Sequence, residues 1–295
     1  MKISAVLKKK KYSFSFEFFP PKSPEGFANL YEAIERLKPC CPAFVSVTFG
    51  AGGSTRTKTI ELVGRIKNDI GLESMAHLTC VGSGEGEIRS FLDELESSGI
   101  DNVLALRGDP PQGQEKFVKP ENGFQYANEL VALIKKDYRF CIGVAGYPEV
   151  HVECVDQQTD LANLKKKVDA GADFIITQLF FNNDAYFDFV GRVRSLGLSV
   201  PIIPGIMPIV NLNQVKRFTK MCGAAIPASL LADLERVKDD QEKVQETGLA
   251  FAKEQCESLL NLGAPGIHFY TLNKSNATLR ILEHLNMAVN LADNA

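Results

Sequence analysis

A glutamate stands inside a strongly aromatic run near the start of the chain, where its carboxyl group could act on a proton. Residues 14–19 alternate so that Ser15 and Glu17 share one face and three phenylalanines occupy the other. A carboxylate among apolar groups is costly to ionise, so desolvation is expected to raise the pKa of Glu17 toward neutrality. Such a group is suited to general acid catalysis, whereas a solvated glutamate on an edge strand would have no such role.

A second group of polar residues follows a later apolar run, where Leu106 is succeeded by Arg107, Gly108 and Asp109. Adjacent opposite charges can bind a polar or anionic ring, and the carboxylate of Asp109 can stabilise a positive charge that develops nearby. An Asp-Pro sequence is equally typical of a plain turn, so both interpretations stay open.

Histidine and glycine residues lie within or after other apolar runs. His77 lies within an apolar, strand-like segment, and Tyr147 and His151 fall in one expected loop. A hydrogen-bonded core histidine is the alternative for His77. The four histidines lack HExxH or any comparable spacing, so no metal site is predicted. The glycine-rich segment at 50–53 either lets the backbone approach a phosphate at a helix start or forms an ordinary turn.

Eight apolar runs of strand length position these groups, and helical-period segments separate them. Nearly continuous hydrophobicity is typical of parallel strands covered on both faces. The pattern predicts one domain over residues 1–295, a single (β/α)₈ TIM barrel of the α/β class with an extra helix between strands 7 and 8. A doubly wound open sheet is the alternative, disfavoured because no run is followed by GxGxxG. The runs are residues 14–19, 44–48, 75–79, 103–106, 141–145, 174–179, 202–206 and 266–270.

Composition restricts the partners and the compartment. The chain has 295 residues and a formal net charge of −3, which gives no reason to expect nucleic-acid binding. No apolar stretch reaches membrane-spanning length, and the first residues lack the pattern of a signal peptide. Seven scattered cysteines indicate reduced thiols, so a cytoplasmic location is expected. The basic run at 8–11 indicates a solvated arm before the first strand. The sequence leaves open whether the protein forms a homo-oligomer.

Nine segments, in order along nearly the whole chain, together resemble the methylenetetrahydrofolate reductase family. They read FEFFPP at 16–21, VTFGA at 47–51, HLTC at 77–80, ALRGD at 105–109, YPEVH at 147–151, DAGAD at 169–173, ITQ at 176–178, PGI at 204–206 and HFYTLN at 268–273. Each segment alone is a weak signal, but the ordered set is specific. The resemblance implies a catalytic barrel that binds FAD without a Rossmann motif and takes methylenetetrahydrofolate as its substrate.

The resemblance also implies roles for individual residues. Glu17 would be the general acid and Asp109 its electrostatic partner, while Lys166 and Lys167 would offer positive charge to the FAD pyrophosphate. The positions that would bind FAD are Thr48, Phe49, Ala51, His77, Arg107, Gly108, Asp109, Tyr126, Ala127, Tyr147, His151, Asp160, Asn163, Lys166 and Lys167. The positions that would bind the folate are Glu17, Gln178, Gln214, Phe218 and Lys274.

Two positions depart from the family pattern. Phe49 stands where tyrosine is frequent, which removes a phenolic hydrogen bond. Lys274 stands where arginine is usual, which keeps the charge that would meet the glutamate tail of the folate but removes the two-pronged guanidinium. The chain also ends soon after the expected barrel, so regulation by S-adenosylmethionine is not expected.

The implied reaction consists of two half-reactions that share one site. NADH or NADPH reduces FAD, and the flavin then passes a hydride to 5,10-methylenetetrahydrofolate to give 5-methyltetrahydrofolate. The sequence leaves the choice between NADH and NADPH open. A lyase or aldolase on the same barrel would need a Schiff-base lysine or a metal cluster at a strand end. A non-catalytic barrel that binds flavin or folate would not need both Glu17 and Asp109.

Overall fold

The computed structural model describes residues 1–49, 56–110 and 117–285, and at its centre is a ring of parallel strands. The strands are β1 (Ser13–Phe18), β2 (Phe44–Val47), β3 (Ser74–Thr79), β4 (Asn102–Leu106), β5 (Cys141–Gly146), β6 (Phe174–Thr177), β7 (Ile202–Ile203), β8 (Gly205–Ile206) and β9 (Gly266–Tyr270). Their order in the sheet is β7-β6-β5-β4-β3-β2-β1-β9-β8. The carboxyl ends of parallel strands all lie on one side, so the residues that follow them share one mouth.

The seventh predicted strand is divided at Pro204 into two short strands. β7 pairs with β6, whereas β8 pairs with β9. Pro204 has no N–H to donate, but its carbonyl accepts a hydrogen bond from the backbone nitrogen of His268 at 2.9 Å. β7 and β8 stand at the two ends of the strand order but are consecutive in the chain. The short connection between them at Pro204 therefore closes the sheet into a barrel. The predicted barrel is confirmed, and the open-sheet alternative is wrong.

Helices cover the outside of the barrel and one of its ends. Three of them, within residues 212–261, lie between β8 and β9, which confirms the predicted extra helical segment. The helices are α1 (Ile3–Lys9), α2 (Pro24–Leu37), α3 (Arg56–Asn68), α4 (Glu85–Ser97), α5 (Ala127–Asp137), α6 (Gln157–Asp169), α7 (Asn183–Ser195), α8 (Leu212–Cys222), α9 (Ala228–Arg236), α10 (Gln241–Asn261) and α11 (Asn276–His284). No helix within the described ranges is both long enough and apolar enough to cross a bilayer.

The first strand shows how the two faces of the barrel wall differ. Phe14, Phe16 and Phe18 are buried in one apolar cluster with Leu30 and Ile34 of α2, so they form the layer between the strands and the helices. The intervening side chains therefore point into the barrel interior, as strand alternation requires. This arrangement places polar groups of β1 inside the barrel.

Helix α1 covers the amino-terminal end of the barrel. Ile3 and Val6 are buried in a second apolar cluster with Phe44 and Phe174. The backbone nitrogen of Ile3 also donates to Asn102 Oδ1, at the start of β4, at 2.8 Å. The basic run at 8–11 was expected to belong to a solvated arm, but its first residues instead end this helix. The opposite end of the barrel remains available for a site.

Candidate active site

Glu17 lies in the barrel interior between two imidazoles. Its side chain is 18% exposed, and its Oε2 atom lies 3.4 Å from Nε2 of His77 on β3 and 3.4 Å from Nε2 of His268 on β9. The hydroxyl of Thr271 donates to the backbone carbonyl of Glu17 at 2.6 Å, which fixes the end of β1 against β9. A carboxyl group held this way can exchange a proton with an imidazole or with a molecule that enters the mouth.

The pKa of Glu17 differs from the sequence-based prediction. Burial raises the pKa, as expected, but the charge of His77 and the hydrogen bond and charge of His268 together outweigh it, so the pKa lies below its ordinary value. Burial lowers the pKa of His77, against the opposing charge of Glu17. The predicted rise is therefore wrong, because the sequence revealed the apolar surroundings but not the two facing imidazoles.

Arg107 forms an ion pair that the sequence did not predict. Its two terminal nitrogens donate to the two carboxylate oxygens of Glu153, at 2.7 Å each. The guanidinium also lies 5.1 Å from the ring centroid of Phe117. Asp109, which was considered as its charged neighbour, is exposed and makes no ion pair with Arg107 among the described contacts. A two-pronged pair of this kind orients the guanidinium as well as holding it.

A compact cluster follows β5 at the mouth. The ring of Tyr147 meets the ring of His151 edge-on, with centroids 4.6 Å apart. The backbone nitrogen of His151 donates to Asp160 Oδ2 at 3.3 Å. The backbone nitrogen of Glu153 donates to His151 Nδ1 at 3.1 Å, which leaves Nε2 to carry the ring hydrogen of the neutral form. Burial lowers the pKa of His151, and so does the charge of Arg107, which favours that neutral form.

The two predicted pyrophosphate lysines lie in different environments. Lys167 reaches into the cluster, where its Nζ donates to the carbonyl of Ala145 at 2.6 Å and lies 5.7 Å from the centroid of Tyr147. Burial lowers the pKa of Lys167 to about 8, although the charge of Asp160 opposes the shift. Lys166 is exposed, and its Nζ donates to Asn163 Oδ1 at 3.3 Å. The structure therefore brings Lys167 against Tyr147 and Asp160, whereas Lys166 contacts only Asn163 among the predicted residues.

The predicted flavin positions on β2 and α5 lie at the rim. Thr48 follows β2 directly, and the ring of Phe49 packs edge-on against Phe91 of α4, with centroids 5.2 Å apart. Tyr126 is exposed where Ala127 begins α5. Ala51 and the rest of the glycine-rich segment at 50–53 lie outside the described residues.

The predicted folate positions divide into two groups. Gln214 and Lys274 line one groove of about 1220 Å³, together with Tyr270. Gln178 follows β6, where its Oε1 accepts from the backbone nitrogen of Leu179 at 2.9 Å. Phe218 is half-buried on α8 and does not line that groove.

Several features at the ends of β3 and β4 suit a flat heterocycle with a polar edge. His77 Nε2 and Thr79 Oγ1 are buried and have no hydrogen-bond partner among the described residues. Gly108 adopts a φ of 88°, and a Cβ there would lie 2.6 Å from the side chain of Val81. Buried polar atoms without partners are costly, so a ligand that bonds to them would be stabilised. The described residues contain no group of His, Cys, Asp and Glu arranged to hold a metal ion.

The barrel is closed and parallel, and its strand ends bring carboxylates and imidazoles to one mouth, where Lys167 of α6 joins them. These features define the class of α/β-barrel proteins with a polar site at the carboxyl end. The sequence model of the family described as Methylenetetrahydrofolate reductase matches residues 2–286. The chain belongs to this family.

Similar proteins agree with this assignment. Methylenetetrahydrofolate reductase (NADH) 1 of Arabidopsis thaliana is 46% identical over 297 residues, which cover 97% of this chain and 50% of the plant protein. The 5,10-methylenetetrahydrofolate reductase of Escherichia coli is 42% identical over 271 residues, which cover 92% of this chain and 90% of that protein. The chain thus spans about half the length of the plant relatives that it matches.

A solved structure shares the fold. A Clostridium thermocellum protein that binds two copies of 5-methyl-5,6,7,8-tetrahydrofolic acid superposes with a TM-score of 0.58. The match covers 97% of this chain and 96% of that one, with 18% sequence identity. At that identity the likeness supports the barrel fold alone.

Proposed function

We propose that the chain reduces 5,10-methylenetetrahydrofolate to 5-methyltetrahydrofolate, with electrons from NADH or NADPH that pass through FAD bound at the barrel mouth. The observation that carries the proposal is the partly buried carboxyl group of Glu17 between His77 and His268. A folate ring opening needs a proton donor, and this is a titratable group held inside the mouth. Membership of the reductase family supports the choice of substrate.

The described residues fit FAD in three respects. Arg107 and Lys167 offer positive charge at the mouth, and Tyr147 and His151 form an aromatic wall. Thr79 Oγ1 is a buried polar atom that makes no hydrogen bond among the described residues. FAD, when bound, supplies a two-electron carrier that can accept a hydride from a nicotinamide and release it to carbon. The protein is left to bind the reactants, orient them and handle the proton.

Glu17 acts on the folate in this scheme. Breaking the bond between the methylene carbon and N10 requires a proton on N10, which the protonated form of Glu17 delivers, and it leaves a positive charge shared by the carbon and N5. Because His77 and His268 lower the pKa of Glu17, its carboxylate must take up this proton before the step. The carboxylate of Asp109 stabilises that charge from the mouth. One proton and one hydride are then added to the substrate, which accounts for the two electrons of the reduction.

The test follows the two half-reactions anaerobically. The purified protein is expected to be yellow, with about one non-covalently bound FAD per chain, and a colourless protein that gains no flavin spectrum from added FAD would contradict the proposal. NADH should bleach the flavin, and methylenetetrahydrofolate should then restore its colour. Tetrahydrofolate, which lacks the methylene group, serves as the matched control and should restore nothing. A parallel reduction with NADPH compares the two donors.

The same experiment separates the alternatives. A non-catalytic flavin- or folate-binding barrel would bind both molecules but would not reoxidise with methylenetetrahydrofolate. A lyase or aldolase would need a Schiff-base lysine or a metal cluster at a strand end, whereas the half-buried Lys167 comes from helix α6 and donates to the Ala145 carbonyl.

A further inference from the structure

A second cavity lies between the loop after β5, the start of α7 and the middle of α10. Its volume is about 510 Å³, and it shares no lining residue with the groove of Gln214 and Lys274. Glu149, Asn183 and Phe251 are among the residues that line it. This volume is in the range of small-molecule sites, so the cavity is a candidate site separate from the proposed active site.

Two buried oxygen atoms on the lining side chains, Glu149 Oε2 and Asn183 Oδ1, have no hydrogen-bond partner among the described residues. The other polar atom of each side chain is already used. Glu149 Oε1 accepts from the backbone nitrogen of Ala225 at 3.1 Å, and Asn183 Nδ2 donates to the backbone carbonyl of Gln255 at 3.1 Å. Because a carbonyl only accepts, the second bond fixes which end of the Asn183 amide is left over. Both remaining atoms are acceptors, so a molecule that satisfies them must bring donors.

The lining of the cavity is acidic. It includes the carboxyl groups of Glu149 and Glu254, and none of the described residues that line it carries a positive charge. Burial raises the pKa of Glu149, although the hydrogen bond from Ala225 opposes the shift. A buried carboxylate without a cation is costly, and a cation bound beside Glu149 would favour its charged form.

The apolar part of the lining is aromatic. Phe181 and Phe251 both line the cavity, and their ring centroids lie 6.3 Å apart. Phe181 is buried, whereas Phe251 is half-buried. Aromatic rings attract cations and also pack against hydrocarbon, so the two rings suit a charged nitrogen group carried on a short hydrocarbon stem.

An anion is the alternative ligand, because the cavity borders the start of α7, where the helix dipole favours negative charge. Asn182 already caps this helix, since its Oδ1 accepts from the backbone nitrogen of Asp184 at 3.0 Å. The two atoms without partners are acceptors, and the carboxylate of Glu149 would repel an anion. A cation therefore matches the cavity better.

We propose that this cavity binds a small organic cation, an alkylammonium or alkylguanidinium ion, whose N–H groups donate to Glu149 Oε2 and Asn183 Oδ1. The hydrocarbon stem of the ligand packs against the rings of Phe181 and Phe251. Binding therefore requires positive charge, N–H groups and hydrocarbon in one molecule. The inference goes beyond the proposed function and does not depend on the binding of flavin or folate.

The three required properties are tested by calorimetric titration of the purified protein with small probes. n-Butylammonium and n-butylguanidinium are each expected to bind with a Kd of about 1 mM or below and to raise the melting temperature, and their relative affinities show which head group is preferred. n-Butanol lacks the charge and tetramethylammonium lacks the N–H groups, so both should bind at least about tenfold more weakly. Butyrate, which tests the anion alternative, should not bind.

The location of the site is tested with variants that circular dichroism shows to be folded. Glu149→Gln removes the charge but keeps an oxygen for the Ala225 nitrogen, and it should weaken the binding of n-butylammonium by at least about tenfold. Phe251→Leu keeps an apolar side chain but removes a ring, and it should weaken binding by about two- to fivefold. Glu246→Gln is the matched control, since Glu246 is an exposed glutamate of α10 that does not line the cavity, and its Kd should equal that of the parent.

The outcomes that overturn the proposal are specific. They are no binding of either cation at about 10 mM, or binding of n-butanol or butyrate as tight as that of n-butylammonium. A parental Kd in Glu149→Gln, or equal weakening in Glu246→Gln, places the cation elsewhere and also overturns it. If Glu149→Gln does not fold, a parental Kd in Phe251→Leu has the same meaning. None of these measurements uses turnover, so a protein that binds the cation but does not reoxidise with methylenetetrahydrofolate contradicts only the proposed function.

Discussion

Arg107 and Glu153 join two loops of the barrel mouth through a two-pronged ion pair, with both nitrogen–oxygen distances at 2.7 Å. Glu153 is held in turn by His151, so the direction of the guanidinium is set by the loop after β5. Among the described contacts, the neighbouring Asp109 makes no ion pair with Arg107, although its charge acts on the guanidinium. Its carboxylate is therefore available to a molecule in the mouth.

Asp109→Asn should slow folate reduction by roughly ten- to a thousandfold and flavin reduction by NADH much less. The reason is that the substitution removes a negative charge near the carbon that becomes positive. Stopped-flow measurement of the two half-reactions decides the matter. Asp188→Asn, on the outer face of α7, is the matched control and should change neither rate. Small and equal effects on both half-reactions would mean that Asp109 only forms a turn.

Glu17→Gln should leave flavin reduction by NADH near normal and slow folate reduction by at least about a hundredfold. Glutamine keeps the size of the side chain and much of its hydrogen bonding, but it cannot donate an acidic proton. The two half-reactions are measured separately by stopped flow, so flavin reduction is the internal control. Reoxidation of the variant by methylenetetrahydrofolate at the parental rate would remove Glu17 from its role as general acid.

Lys167→Met should change the pH dependence of stability in a defined direction. The pKa of Lys167 is lowered from 10.5 to about 8 in the folded protein. Between those values the unfolded chain binds more protons, so this lysine makes the parent more stable as pH rises from about 8 toward 10.5. The stability of the parent relative to the variant should therefore grow over that window in urea unfolding experiments. FAD should also bind more weakly to the variant, because a positive charge is lost.

Lys166→Met is the control for this series. Lys166 is the exposed neighbour on the same helix, and its loss should leave the pH dependence parallel to that of the parent. If the two variants have the same pH dependence, Lys167 is not desolvated in solution.

Gly248→Ala and Gly191→Ala should change stability in opposite directions. Both glycines lie within helices, α10 and α7, but a Cβ at Gly248 would overlap the carbonyl oxygen of Ile209, whereas a Cβ at Gly191 would have no neighbour within 4 Å. We expect Gly248→Ala to destabilise by about 1–3 kcal/mol through overpacking. Gly191→Ala should stabilise by up to about 1 kcal/mol, since alanine favours a helix. Two changes of the same sign in thermal unfolding would contradict the packing of α10 against the chain after β8.

The barrel could be predicted from sequence because its signals are local. Eight apolar runs separated by helical periods are visible without any knowledge of contacts. The break at Pro204 could have been recognised, since proline cannot donate within a sheet. Helix α1 could not, because it has seven residues and is stabilised by packing of Ile3 and Val6 rather than by its own propensity.

The site could be predicted from the sequence only in part, for a different reason. Glu17, Arg107 and Lys167 were selected because they lie at strand ends or match the family, but their partners depend on pairings between distant segments. His268 lies in one of the segments that resemble the family, but its own neighbours assign it no role, and no local pattern marks Glu153. The predicted direction of the pKa shift of Glu17 is wrong for the same reason. Burial can be inferred from neighbouring residues, whereas the charges that oppose it come from β3 and β9.

The pairing of β1 with β9 also determines when the site can exist. Glu17 and His268 are 251 residues apart in sequence, so a chain emerging from the ribosome carries the acid long before it carries the imidazole. Contacts of such separation close a large loop and form late in folding. The pair of Glu17 and His268 is therefore assembled only when the first and last strands of the barrel have met, and a chain cut short before β9 would leave Glu17 with His77 alone at an open sheet edge.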